Sequence, residues 1–213
     1  MLRRTVLPIA LALSLVGIAP ALAAPTLSTS DRLDERRYVA TGSRAYVVGT
    51  EAGRFPAMGF HTRGEMGGVW TPPIKLVDGI WFGLDGEWVG PATRFTSGYG
   101  HVQMDLPSRG GLRVTRTDFA PDGRRAVLVG LRIESEAART VDLRMQTHSE
   151  LMSIYPWGET KRENNTQPLT QNEFNLADSA AFEAGALVFR EQGTPVVPNA
   201  EAHDWAAVVG STL

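Results

Sequence analysis

The segment His148–Thr160, HSELMSIYPWGET, gathers two carboxylates, Glu150 and Glu159, around Tyr155 and Trp157. Glycosidic cleavage uses such groups: one carboxylic acid protonates the leaving oxygen, a second carboxylate activates water or attacks the ring, and flat aromatic faces hold the substrate. The carboxyl groups must stand roughly 5–5.5 Å apart for retention or 6.5–9.5 Å for inversion. Here Glu150 continues a strand-like run, whereas Glu159 lies beyond Pro156 and Gly158. No regular element sets their separation, so the spacing establishes no catalytic pair and the catalytic residues stay unassigned. The segment reads better as a strand leaving its sheet, with Glu150, Tyr155, Trp157 and Glu159 as candidate substrate-binding residues.

Other chemistries find less support. The four histidines, His61, His101, His148 and His203, fall in separate segments without paired zinc-ligand spacing. His61 and Glu65 sit in a glycine-rich stretch that presents no helical face to an ion, so no metal site is expected. That stretch, GFHTRGEMGGVWTPP, lacks the Gly-Lys-Ser/Thr ending of a phosphate loop and reads as a long loop able to carry binding residues. No Gly-x-Ser-x-Gly elbow is present, and no cofactor is implied. Of the tryptophans, Trp70, Trp81, Trp88, Trp157 and Trp205, most should be core residues, with at most two left for a ligand. Asn164-Asn165-Thr166 marks local exposure.

Bulk properties narrow the classes further. Arg3 and Arg4 precede an apolar run that ends in Ala21-Leu22-Ala23, the pattern of a secretory signal peptide over residues 1–23. Cleavage before Ala24 would leave no stable membrane anchor and a secreted, periplasmic or extracellular product. Retention as an uncleaved anchor is the lesser alternative. A formal net charge of -2 supplies no basic field for phosphate backbones, so nucleic acid is a poor partner. With no cysteine, neither a disulfide nor a thiolate is available, and stability must come from a core.

The elements that must position any site are short and β-rich. Residues 24–37, with the charged DRLDERR, read as a linker or a single helical turn. Residues 38–213 read as one domain, in which runs such as RAYVVGT, GIWFGLD, GHVQMDL, GLRVTRTDF, RAVLVGLRI and TVDLRMQTHSEL predict an all-β, antiparallel β-sandwich. In LRVTRTDF, Leu112 and Val114 alternate with Arg113, Thr115 and Thr117. AVLVGLRI is apolar on both parities and predicts a central strand buried on both faces. APDGR at 120–124 predicts a hairpin turn, and Asp85-Gly86 a two-residue connection between the strands of Trp81 and Trp88. DSAAFEAGA offers a short helix ended by Gly185. DWAAVVGSTL reads as a strand that stops abruptly, which suggests either a longer natural domain plan or a sheet edge.

Taken in order, FPAMGFHTRGEMGGVWTPPIKLVDGIWFGLDGEW, FTSGYG, VTRTDFAPDGRRAVLVGLRIES and HSELMSIYPWGET resemble the N-terminal region of secreted bacterial glycogen-debranching-type proteins, relatives of amylo-α-1,6-glucosidase. The resemblance runs from about Tyr38 to the end of the chain. It implies a β-sandwich of the super-sandwich type preceding an (α/α)6 barrel, and a parent glycoside hydrolase acting on α-glucan or a related oligosaccharide. In that architecture the catalytic acids belong to the barrel, a partner absent from this chain, so no turnover is expected here. The alternatives are a stand-alone carbohydrate-binding module using Tyr155, Trp157 and an indole from Trp81 or Trp88, and an exported sandwich that binds protein.

Overall fold

Alternation along residues 101–119 becomes two long paired strands in the computed structural model, which describes residues 25–55, 67–149, 151, 176–196, 199 and 201–212. The strands, in chain order, are β1 (Leu27–Thr29), β2 (Arg37–Thr41), β3 (Tyr46–Thr50), β4 (Gly68–Thr71), β5 (Ile74–Val77), β6 (Gly79–Leu84), β7 (Glu87–Trp88), β8 (Arg94–Ser97), β9 (His101–Arg109), β10 (Leu112–Phe119), β11 (Leu128–Ser135), β12 (Leu143–His148), β13 (Ser179–Glu183), β14 (Ala186–Gly193) and β15 (His203–Gly210). No helix occurs among the described residues. Every strand pairing is antiparallel, and the architecture is an antiparallel β-sandwich.

A five-stranded sheet runs β1-β8-β9-β10-β11 and a four-stranded sheet β2-β3-β4-β5. Their inner faces share one core, in which Val102, Met104, Leu106 and Val114 meet Tyr38, Ala40, Val47, Val69 and Val77. A third sheet, β12-β6-β7, adds Ile80 and Leu84 to that core. The fourth, β13-β14-β15, closes a smaller core of Leu151, Phe189 and Ala207, joined to the first through Leu76 and Val209. Residues 27–29, within the stretch read as linker, pair with β8, and Leu33 is buried in the core.

Two local expectations meet a different outcome, and a third, the hairpin at 120–124, is met. β11 is an edge strand, paired only with β10, and Leu128 is exposed; an apolar run on both parities does not decide how many neighbours a strand acquires. Residues 179–187 form a β-hairpin rather than a helix, turning at Ala184-Gly185 with both φ angles positive. The β10–β11 connection spans 120–127, with Gly123 in the left-handed region, so the hairpin exists but is longer than a tight turn. Asp85-Gly86, both at positive φ, link β6 to β7 as expected. Residues 1–24, 150 and 152–175 lie outside the described residues, and with them the leader and all four candidate substrate-binding positions.

The core contains one ion pair that the alternation conceals. Arg116 and Asp118 occupy the inward parity of β10 with Leu112 and Val114, and are buried. Arg116 Nε and Nη2 each donate to the Asp118 carboxylate at 2.7 Å, Nη1 donates to the Gly53 carbonyl at 3.0 Å, and the Tyr38 hydroxyl donates to Asp118 Oδ2. Tyr38 reaches across because its strand partner is Gly49: a Cβ there would lie 2.7 Å from the phenol ring. Burial pushes the Tyr38 pKa well up, so the phenol keeps its proton. Burial alone would lower the Arg116 pKa, but the charge of Asp118, the Tyr38 phenol and the hydrogen bonds to Asp118 together more than offset it, and the guanidinium stays charged. Asp118→Ala is expected to cost roughly 3–5 kcal/mol by stranding the cation. A double replacement, Arg116→Met with Asp118→Val, should cost much less; urea unfolding of the two variants measures the difference.

Candidate functional site

The third sheet turns one face into the core and the other to solvent, and the outward face carries the chemistry. Residues directly opposite each other on paired strands share a face. Across the order β12-β6-β7, the outward rows are Arg144–Gly83–Trp88, then Gln146–Trp81, then His148–Gly79. Trp81 and Trp88 are 39% and 46% exposed, while Trp70 is fully buried and stacks on Tyr46. Only these two indoles are strongly exposed among the described residues.

Two glycines make room for this surface. At Gly79 a Cβ would fall 2.7 Å from Trp81 Cη2 and 3.1 Å from Phe55 Cβ, so the Trp81 ring lies where a side chain would otherwise stand. At Gly83 the empty middle position lets the flanking strands meet: Arg144 Cζ stands 4.9 Å from the centroid of the Trp88 ring. β7 pairs with β6 only at Gly83 and Leu84, and Val89 N–H then donates to Phe82 O at 2.9 Å. The edge near Trp81 therefore opens into a notch of about 250 Å³, walled by the turn 52–55, Trp81, Trp88 and Pro91, with buried Arg116 among its lining groups. Arg116 also sits over the Phe55 ring at 5.2 Å, coupling the notch to the core ion pair.

β12 supplies a polar ladder beside the indoles. Arg144, Gln146 and His148 occupy its exposed parity. His148 Nδ1 lies 2.7 Å from Asp78 Oδ2, with the imidazole more than half exposed and the carboxylate buried. Asp78 also takes Lys75 Nζ at 3.1 Å from Oδ1, an ion-pair distance rather than an aligned hydrogen bond, and Lys75 lies over Trp70. The buried pair thus orients a surface imidazole.

Beyond His148 the chain is led onto the fourth sheet. Ser149 Oγ donates to Leu76 O at 2.6 Å, and Leu151, fully buried, donates its N–H to Asp178 Oδ2 at 3.3 Å. Nearby, Glu191 takes Leu176 N–H at 3.3 Å and His203 Nε2 at 2.5 Å, and His203 stacks on Trp205. Burial lowers the His203 pKa, opposed in part by a hydrogen bond to the Glu201 backbone. Burial, reinforced by the charge of Glu191, raises Asp178 to about 6. A glycosidase pair must flank an opening wide enough for a sugar. Glu191 is only 1% exposed and is held by Leu176 and His203, so this carboxyl cluster fastens the strand exit.

The opening of HSELMSIYPWGET is therefore a strand exit as far as it is described: β12 ends at His148, and Ser149 and Leu151 are tied down. Glu150, Tyr155, Trp157 and Glu159 lie outside the described residues, as do His61 and Glu65. Trp81 and Trp88 come together on one face; Trp205 is part of the smaller core. Sequence reasoning missed Arg144 and Gln146, although the alternation of LRMQTH, with Arg144, Gln146 and His148 on one parity, signals them. A wider hollow beside 135–141 has no aromatic wall, and its Arg139 already donates to Gly110 O and Asp85. Compared with protein-family models, curated proteins and solved structures, the chain matches none.

Two outcomes follow from these contacts. Gly79→Ala should displace the Trp81 indole and cost about 1–3 kcal/mol through overpacking against Phe55, read as a lower urea midpoint and increased quenching of tryptophan emission. Asp178 binds its proton more tightly folded than unfolded, so its contribution to stability is complete below about pH 4 and is lost as pH rises through about 6. The expected loss is on the order of 1 kcal/mol after solvent screening; urea midpoints between pH 4 and 7.5 should show it in the parent protein and not in Asp178→Asn.

Proposed function

We propose that this chain is the carbohydrate-holding sandwich domain of a secreted glycoside hydrolase of the glycogen-debranching type, packing on a helical barrel that carries the catalytic acids. The observation that carries the sugar contact is the outward face of β12-β6-β7, where two partly exposed indoles lie beside an Arg-Gln-His ladder. Indoles cover the C–H faces of a pyranose, and the ladder and the notch supply donors for its hydroxyls. The motif order from Tyr38 onward supports the parent family, and the leader-like run at 1–23 supports export. Apolar side chains exposed on the fourth sheet, Phe182 and Val208 among them, support packing on a further element.

A stand-alone carbohydrate-binding module is the second reading. It is favoured by the small core of Leu151, Phe189 and Ala207, which packs the fourth sheet on residues of this chain. Both readings place sugar on the same face and assign no turnover to the chain. Calorimetric titration with maltohexaose should give binding that Trp81→Ala and Trp88→Ala each weaken by about tenfold or more, equivalent to about 1.4 kcal/mol. Absence of heat in the parent protein would overturn the contact with neutral α-glucan, and glucose release from branched glucan would overturn the non-catalytic assignment. A soluble monomer would favour the stand-alone module; concentration-dependent self-association would favour the packed domain.

A further inference from the structure

The charge distribution around the two indoles narrows the class of sugar, and this inference rests on the carbohydrate reading of that face. Arg144 stands on the Trp88 ring, and Arg54 lines the notch beside Trp81. Neither guanidinium has an ion-pair partner among the described residues. His148 adds a third nitrogen-bearing side chain on the same face, its Nδ1 committed to Asp78. Of the described acids around it, Asp78 lies buried between Lys75 and His148, Glu87 pairs with Arg109, Asp85 with Arg139, and Asp118 with Arg116, while Asp142, on the parity of Arg144, and Glu51, in the turn of Arg54, form no ion pair with either guanidinium.

A chain with a net charge of -2 thus presents, beside its exposed aromatic surface, two cations that no described carboxylate holds in an ion pair. Neutral glucan needs hydrogen-bond donors and acceptors, which the Gln146 amide alone could supply. Unpaired guanidinium forks instead match planar carboxylates, which they bind through two parallel N–H···O bonds. We infer that this face takes an acidic oligosaccharide, one whose rings stack on Trp81 and Trp88 and whose uronate carboxylates pair with Arg144 and Arg54.

Titrating the full chain with hexagalacturonate and with maltohexaose, at about 20 mM and 300 mM salt, tests this. The acidic sugar should bind about tenfold or more tightly at low salt and lose most of that advantage at high salt, as screening shortens the reach of the guanidinium charges. Arg144→Gln and Arg54→Gln should each lower the ratio of acidic-sugar to maltohexaose affinity severalfold and flatten its salt dependence. The two positions lie on different elements, so a folding defect in one variant leaves the other to decide. Equal affinity for both sugars, or a preference insensitive to salt and to both substitutions, overturns the acidic assignment and leaves the carbohydrate face standing. Binding of neither sugar overturns both.

Discussion

The buried ion pair of Arg116 and Asp118 joins two layers of this protein and reaches its exposed face. Arg116 and Asp118 lie two residues apart on one strand, satisfy each other bidentately, and use their remaining hydrogen-bonding capacity on Tyr38 from the facing sheet and on the Gly53 carbonyl. A buried guanidinium is tolerable only when its donors are occupied and its charge is balanced. The position of β2 over β10 and the conformation of the turn at 52–55 are thereby coupled. That turn walls the notch beside Trp81, so a constraint in the core sets the boundary of the outward site.

Absent side chains shape the site as much as present ones. On an antiparallel face, a residue on the middle strand normally separates the side chains of its two neighbours. At Gly83 nothing separates Arg144 from Trp88, and at Gly79 nothing lifts the Trp81 ring away from the sheet. The result is a surface on which Trp81 lies over Gly79 and Trp88 lies beside Arg144. The carboxyl cluster of Asp178 and Glu191 serves the other end of β12, where it fastens the outgoing chain against the fourth sheet.

Much of the architecture could be read from alternation and turn chemistry. GHVQMDL and LRVTRTDF became β9 and β10, and Asp85-Gly86 joined β6 to β7, because a period of two and a pair of positive φ angles are local properties. Residues 179–187 were harder: alanines and a glutamate suit a helix, and the strand state follows from pairing with β14 across a turn that Ala184-Gly185 accepts. Arg116 and Asp118 were visible as polar residues at the inward parity of an otherwise apolar face. Nothing local distinguishes a buried pair there from an early end to the strand, since the compensating Tyr38 and Gly53 lie far away in sequence.

The amino-acid sequence alone determined that this protein is all-β and antiparallel and, having no cysteine, lacks disulfide cross-links, because composition and periodicity act within a few residues. Only the tertiary structure decided which tryptophans stay outside, that β11 ends a sheet, and that Arg144, Gln146 and His148 stand beside Trp81 and Trp88. Those facts depend on strand order and register. Hydrogen bonds between segments separated by tens of residues set both, and no local pattern encodes a partner at that distance.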